Sequence, residues 1–190
     1  MRVSSGKEPK ELKTTSNKKS PVFFLTITAL LTALVYVFTA FVNIRLPITA
    51  NGGLIHLGNV PLFIGAILFG KRVGAIAGGV GMALFDLLSG WTIWAPFTLV
   101  IVGLMGFVVG LICERRNKFG RYIAAIAAAC AIKVAGYYIA EAVIYQNWIA
   151  PAASIPGNLV QIGCAAVVVL AVIVPLKKAA GKVLPAYALS

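Results

Sequence analysis

The chain is 190 residues long, 60% hydrophobic and 12% charged, with a mean hydropathy of +0.94. Soluble domains run at roughly 45–50% apolar and about 25% charged, and six crossing helices of about 20 residues would use roughly 120 residues, so the composition indicates an integral membrane protein and excludes a soluble catalytic domain. A net charge of +12 could suit a nucleic-acid ligand, but the basic residues gather between and beyond the apolar runs, which argues for no nucleic-acid partner.

Residues 1–20 are polar, basic and without apolar periodicity, as expected of a cytoplasmic tail that is free or lies along an anionic leaflet. Apolar runs follow at about 21–42, 54–70, 72–89, 94–113, 121–146 and 155–175, each near the length of a tilted crossing helix. They predict an all-α integral membrane fold with six transmembrane helices as one unit over 21–176, then a cytoplasmic tail at 177–190. The first run lacks a small-residue cleavage signal and reads as a retained helix. The second and third are short and Gly-rich, separated only by Gly70-Lys71-Arg72, which predicts a tight helical hairpin.

With six crossings, the tail, the 70–72 turn, the 114–121 loop and the C-terminus share one side, and they hold 15 of the 17 Lys and Arg residues. The positive-inside rule then sets both termini in the cytoplasm and the loops at 43–53, 90–93 and 147–154 outside. The first of these carries Arg45, Pro47, Asn51, Gly52 and Gly53 and has the length and turn chemistry of a lid.

Small residues recur four apart at Ala29 and Ala33, at Gly70, Gly74 and Gly78, and at Gly106 and Gly110, the spacing that lets helix backbones approach closely in lipid. Packing within the chain is expected for the glycines; the alanine ridge could equally meet a partner subunit. Ionisable groups inside apolar runs are costly unless they face a partner or a watery cavity, and Asp86, Lys133 and Glu141 are such groups. Lys133, Tyr137 and Glu141 stand four apart on one helical face. The stripe is either a structural salt bridge, Lys133 with Asp86 or Glu141, or the wall of a polar cavity open to the outside. Asn158 and Gln161 at the start of the sixth run, with Trp91, Trp94 and Thr98 at the start of the fourth, support the cavity, while Trp91, Trp94 and Trp148 equally fit a tryptophan belt at the membrane interface. The single histidine, His56, suits a pocket-lining or lid-fixing role.

Several chemistries are absent from the sequence. It has no phosphate-binding Gly-x-x-x-x-Gly-Lys-Ser/Thr loop, no Gly-x-Ser-x-Gly elbow and, with one histidine, no paired-histidine zinc motif. Cys113, Cys130 and Cys164 are odd in number and widely spaced, which argues against a disulfide framework or a zinc site. The chain is therefore not expected to be an enzyme or to hold a metal or cofactor.

The segments Gly52-Gly53-Leu54-Ile55-His56-Leu57-Gly58-Asn59-Val60-Pro61, Ala66-Ile67-Leu68-Phe69-Gly70-Lys71-Arg72 and Phe85-Asp86-Leu87-Leu88-Ser89-Gly90-Trp91 occur in an order and at separations that resemble the substrate-binding S components of energy-coupling factor (ECF) vitamin transporters. The likeness is to the riboflavin, hydroxymethylpyrimidine and pyridoxine carriers, with Asn59 standing where many relatives carry an acid. It implies a cell-membrane carrier that binds a small vitamin from outside. It also implies a transmembrane coupling subunit (T component) and two cytoplasmic ATPase subunits, which hydrolyse ATP and drive toppling of the S component. The resemblance assigns Ala29 and Ala33 to the coupling-subunit contact. Substrate contacts are expected from His56, Asp86, Tyr137, Tyr138, Glu141, Asn158 and Gln161, with Trp94 as a stacking surface. Acids, amides and aromatics suit a small heteroaromatic ring. A pyridoxine or hydroxymethylpyrimidine type of vitamin precursor is the first reading, and riboflavin the alternative. Outside the class stand a small membrane channel or an assembly factor.

Overall fold

The structure, a computed structural model, describes residues 21–45, 54–114, 118–184 and 189. The basic tail at 1–20, the centre of the lid-like loop at 46–53 with Pro47, Asn51, Gly52 and Gly53, Arg115 and Arg116 lie outside the described residues.

Among the described residues the fold is built of six α-helices: α1 (Pro21–Phe41), α2 (Asn59–Phe69), α3 (Lys71–Leu88), α4 (Ala95–Cys113), α5 (Phe119–Tyr145) and α6 (Ile155–Val183). A 3-10 turn at Ala150–Ser154 leads into α6, which runs past residue 176 as one continuous helix. The all-α expectation needs one addition. Strands β1 (Asn43–Arg45) and β2 (Leu54–His56) pair antiparallel, with Ile44 opposite Ile55. They take the first five residues of the second apolar run out of the helix, which begins only at Asn59.

Among the described residues, four segments are long and apolar enough to cross a membrane: Pro21–Phe41, Ala95–Cys113, Phe119–Tyr145 and Ala150–Val183. With 11 residues, α2 is about 16 Å long at ~1.5 Å per residue, half of a ~30 Å hydrocarbon core. The 18 residues of α3 carry three charges, Lys71, Arg72 and Asp86.

The hairpin between α2 and α3 forms as the spacing predicts. Gly70 alone joins the helices, at φ 96° and ψ 178°, a conformation that side-chain-bearing residues avoid. Close contacts between small residues then carry α3 onto α4. A methyl group on Gly106 would lie 2.2 Å from the carbonyl oxygen of Gly74, and one on Gly110 would lie 2.3 Å from the Lys71 nitrogen. At the same end of the bundle Lys71 Nζ meets Glu114 Oε2 at 2.9 Å, tying the start of α3 to the end of α4.

Around this seam the core is apolar, with Leu62, Phe63, Ile67, Val102, Met105 and Val169 wholly buried. The outer faces are equally apolar, Val22 and Val167 each being 72% exposed. An apolar surface on that scale finds a favourable solvent in lipid tails. The hydroxyls of α1 do not oppose this: Thr28, Thr32 and Thr39 each donate to the carbonyl four residues back, at 2.6, 2.8 and 2.7 Å.

Candidate binding cavity

The up-and-down connectivity brings the end of α1, β2, the end of α3, the start of α4, the last turns of α5 and the start of α6 to one end of the bundle. A cavity of about 140 Å³ opens among them, and seven of the eight residues expected to bind substrate line it: His56, Asp86, Trp94, Tyr137, Glu141, Asn158 and Gln161.

The wall from α5 follows from helical geometry, since Lys133, Tyr137 and Glu141 recur every four residues on one face. The Tyr137 hydroxyl donates to Thr98 Oγ1 at 3.1 Å, and Thr98 in turn stands beside Asp86. Glu141, 5% exposed, accepts from Ser154 Oγ at 2.6 Å, which fixes α5 to the turn before α6. The Trp94 ring sits 6.4 Å from that of Tyr137, tilted by 40°. These rings form an apolar wall beside the polar groups.

Lys133 is 2% exposed. Among the described residues its ammonium has no carboxylate within 4 Å, so a direct salt bridge to Asp86 or Glu141 does not form. Nζ lies instead 5.0 Å from the centre of the Tyr137 ring, over its electron-rich face, and Asp86 is the acid whose charge reaches it most strongly. One carboxylate oxygen of Asp86, Oδ2, is buried without a hydrogen-bond partner among the described residues. Both amide atoms of the fully buried Asn59 are in the same condition.

His56 Nδ1 accepts the N–H of Gly58 at 3.2 Å. A neutral ring then carries its proton on Nε2. Burial, and after it the charge of Lys133, holds His56 well below its ordinary value, so the imidazole is neutral near pH 7.

Tyr138 is the expected site residue that does not line the cavity. One position on from Tyr137, it faces about 100° away around the helix, and its hydroxyl donates to the carbonyl of Trp148. Conversely Lys133, Thr39, Met82, Phe85 and Ser154 line the cavity without having been assigned to substrate. Lys133 was legible from the α5 stripe; Thr39, Met82 and Phe85 reach the cavity only through the packing of α1 on α3, for which the sequence has no local signal. Among the described residues no three His, Cys, Asp or Glu side chains gather where they could hold a metal ion. Ala29 and Ala33 line a separate apolar groove between α1 and α3, with Thr32, Tyr36, Ile76 and Leu84.

The chain is similar to known proteins along most of its length. Over 138 residues it is 32% identical to "Thiamine precursor transporter HmpT" of Lactococcus lactis subsp. cremoris (strain MG1363), covering 73% of this chain and 78% of that one. Over 102 residues it is 38% identical to an uncharacterised Pyrococcus woesei protein, covering 54% of this chain and 68% of the other. Residues 22–178, which include every residue that lines the cavity, match the family described as ECF-type riboflavin transporter, S component. This multi-pass membrane protein, a transporter subunit and not an enzyme, therefore belongs to the S-component family of ECF transporters.

Proposed function

We propose that this S component captures a thiamine-precursor pyrimidine of the hydroxymethylpyrimidine type from outside the cell membrane. The size and lining of the cavity carry the reading. Its roughly 140 Å³ lies below the ~300–1,000 Å³ of sites for drug-sized ligands, which favours one substituted ring over three fused rings with a sugar-like chain. Trp94 and Tyr137 supply a stacking face, His56 Nε2–H donates, and Glu141, Asn158 and Gln161 address ring substituents. The name of the Lactococcus relative supports the same substrate class.

In this reading the chain crosses the membrane six times, α2 and α3 included, with both termini in the cytoplasm. It works with a coupling subunit and two ATPases that the chain itself does not supply, and the Ala29–Ala33 groove receives the coupling subunit. Riboflavin is the second reading, favoured by the family description. Family membership leaves the channel and assembly-factor alternatives without support.

Mass spectrometry of small molecules released by denaturing the full-length protein, purified from rich medium, tests this directly. A pyrimidine near one equivalent is the expected result. A flavin in its place selects the second reading, and an empty protein whose melting temperature no vitamin raises overturns both.

A further inference from the structure

Lys133 and Asp86 both line the cavity. The lysine is buried, and among the described residues its Nζ meets neither a carboxylate within 4 Å nor a hydrogen-bond acceptor. The face of Tyr137 at 5.0 Å stabilises the charge only in part. On the facing helix Asp86 Oδ2 is buried with nothing to accept. An ammonium with no acceptor beside it and a buried carboxylate oxygen with no donor are both unfavourable inside an apolar bundle without a group that supplies them. A ligand edge bearing an acceptor next to a donor would do so. The other polar groups of the cavity are differently engaged: Glu141 holds Ser154, Tyr137 holds Thr98 and His56 Nδ1 holds Gly58.

We propose that Lys133 is a specificity-determining residue, donating to a ring nitrogen of the ligand while Asp86 accepts from the amino group beside it, so that the cavity selects an amino-substituted nitrogen heterocycle. The inference rests on the single-ring reading of the cavity and names the chemical edge by which that ring is read. A pocket built to hydrogen-bond a ring nitrogen discriminates strongly against a ring with C–H in its place, because the buried donor is then left unpaired.

Isothermal titration of the full-length protein in detergent decides it. The ligands are 4-amino-5-hydroxymethyl-2-methylpyrimidine and its two analogues in which one ring nitrogen or the other is replaced by C–H. For wild type, the analogue lacking the ring nitrogen bonded to the amino-bearing carbon is expected to bind about 10- to 100-fold more weakly than the parent, the range for a hydrogen bond to a charged group, and a loss confined to the other analogue overturns the inference. In Lys133→Met the parent falls by the same factor and its advantage over that analogue closes to within about threefold. Lys133→Gln, uncharged and close in shape, carries the same comparison where Lys133→Met does not fold. Equal binding of all three ligands by wild type overturns the inference, as does a gap that persists in the variant; in both cases the proposed function stands. Failure of wild type to bind the parent pyrimidine overturns both.

Discussion

Replacing Gly106 by Ala tests whether the bundle depends on backbone contact between α3 and α4. The added methyl would lie 2.2 Å from the Gly74 carbonyl oxygen and 2.4 Å from its carbon. Ordinary contact begins near 3.4 Å, so the helices must separate by about 1 Å or their backbones must distort. Overpacking of this kind costs about 1–3 kcal/mol, whereas Ala gains ~1 kcal/mol over Gly in intrinsic helix propensity. Gly103→Ala in the same helix isolates the contact, because a methyl there finds its nearest neighbour at 3.5 Å and keeps the propensity gain. The propensity gain is common to both, so the two variants should differ by the overpacking cost of about 1–3 kcal/mol, which at ~2–4 °C per kcal/mol for a chain of this size places Gly106→Ala roughly 2–12 °C below Gly103→Ala in a detergent melt. Since α3 carries Asp86 and α4 carries Trp94 and Thr98, Gly106→Ala should also weaken substrate binding. Melting of the two variants within about 2 °C of one another would refute the close-packing argument.

The remaining predictions concern the cavity. Glu141→Ala or Asn158→Ala should lower substrate affinity about tenfold or more, the range for losing a hydrogen bond to a charged or buried group, while Tyr138→Phe leaves titration calorimetry unchanged; the opposite pattern would show that Tyr138 faces the ligand. Trp94→Phe should abolish most of the tryptophan-fluorescence change on ligand addition, and retention of the full change would move the stacking surface elsewhere. His56 is held below its ordinary 6.5 by burial and then by Lys133, so the unfolded chain takes up a proton before the folded one does. Its contribution to stability is therefore full above pH 6.5 and is lost as pH falls toward the folded value. The acid-side decline in melting temperature should be shallower in His56→Gln, and identical profiles would refute the assignment.

Those features that depend on periodicity or spacing were legible in the sequence. The α5 stripe and the glycines of α3 and α4 follow from 3.6 residues per turn, and in the structure they stand where that period puts them. Tyr138 shows the limit of the argument: its neighbour Tyr137 faces the cavity, and a one-residue step turns a side chain about 100° around the helix. Residues 54–58 show another limit. Leu54, Ile55 and Leu57 extend the apolar run, but hydropathy does not distinguish a strand from a helix over so short a stretch, and pairing with Asn43–Arg45 decides for the strand. Thr39, Met82 and Phe85 join the cavity through tertiary packing, which leaves no local mark.

The small residues also explain why the cavity lies where it does. On the α2–α3–α4 side, Gly74, Gly79, Gly106 and Gly110 leave no room for a methyl group, so those helices form a close-packed block that holds Asp86 and Trp94 in fixed positions. Toward α6 the situation reverses. A methyl on Gly157, which lines the cavity beside Asn158, would meet nothing within 4 Å. The cavity is thus bounded by a rigid wall carrying Asp86, Thr98 and Trp94 and by a roomier wall carrying Asn158 and Gln161. In a preorganised site, affinity depends on polar groups that need not reorganise on binding, so Asp86 and Trp94 on the rigid wall, with Lys133 and Tyr137 of α5, hold the ring, and the start of α6 adjusts to its substituents.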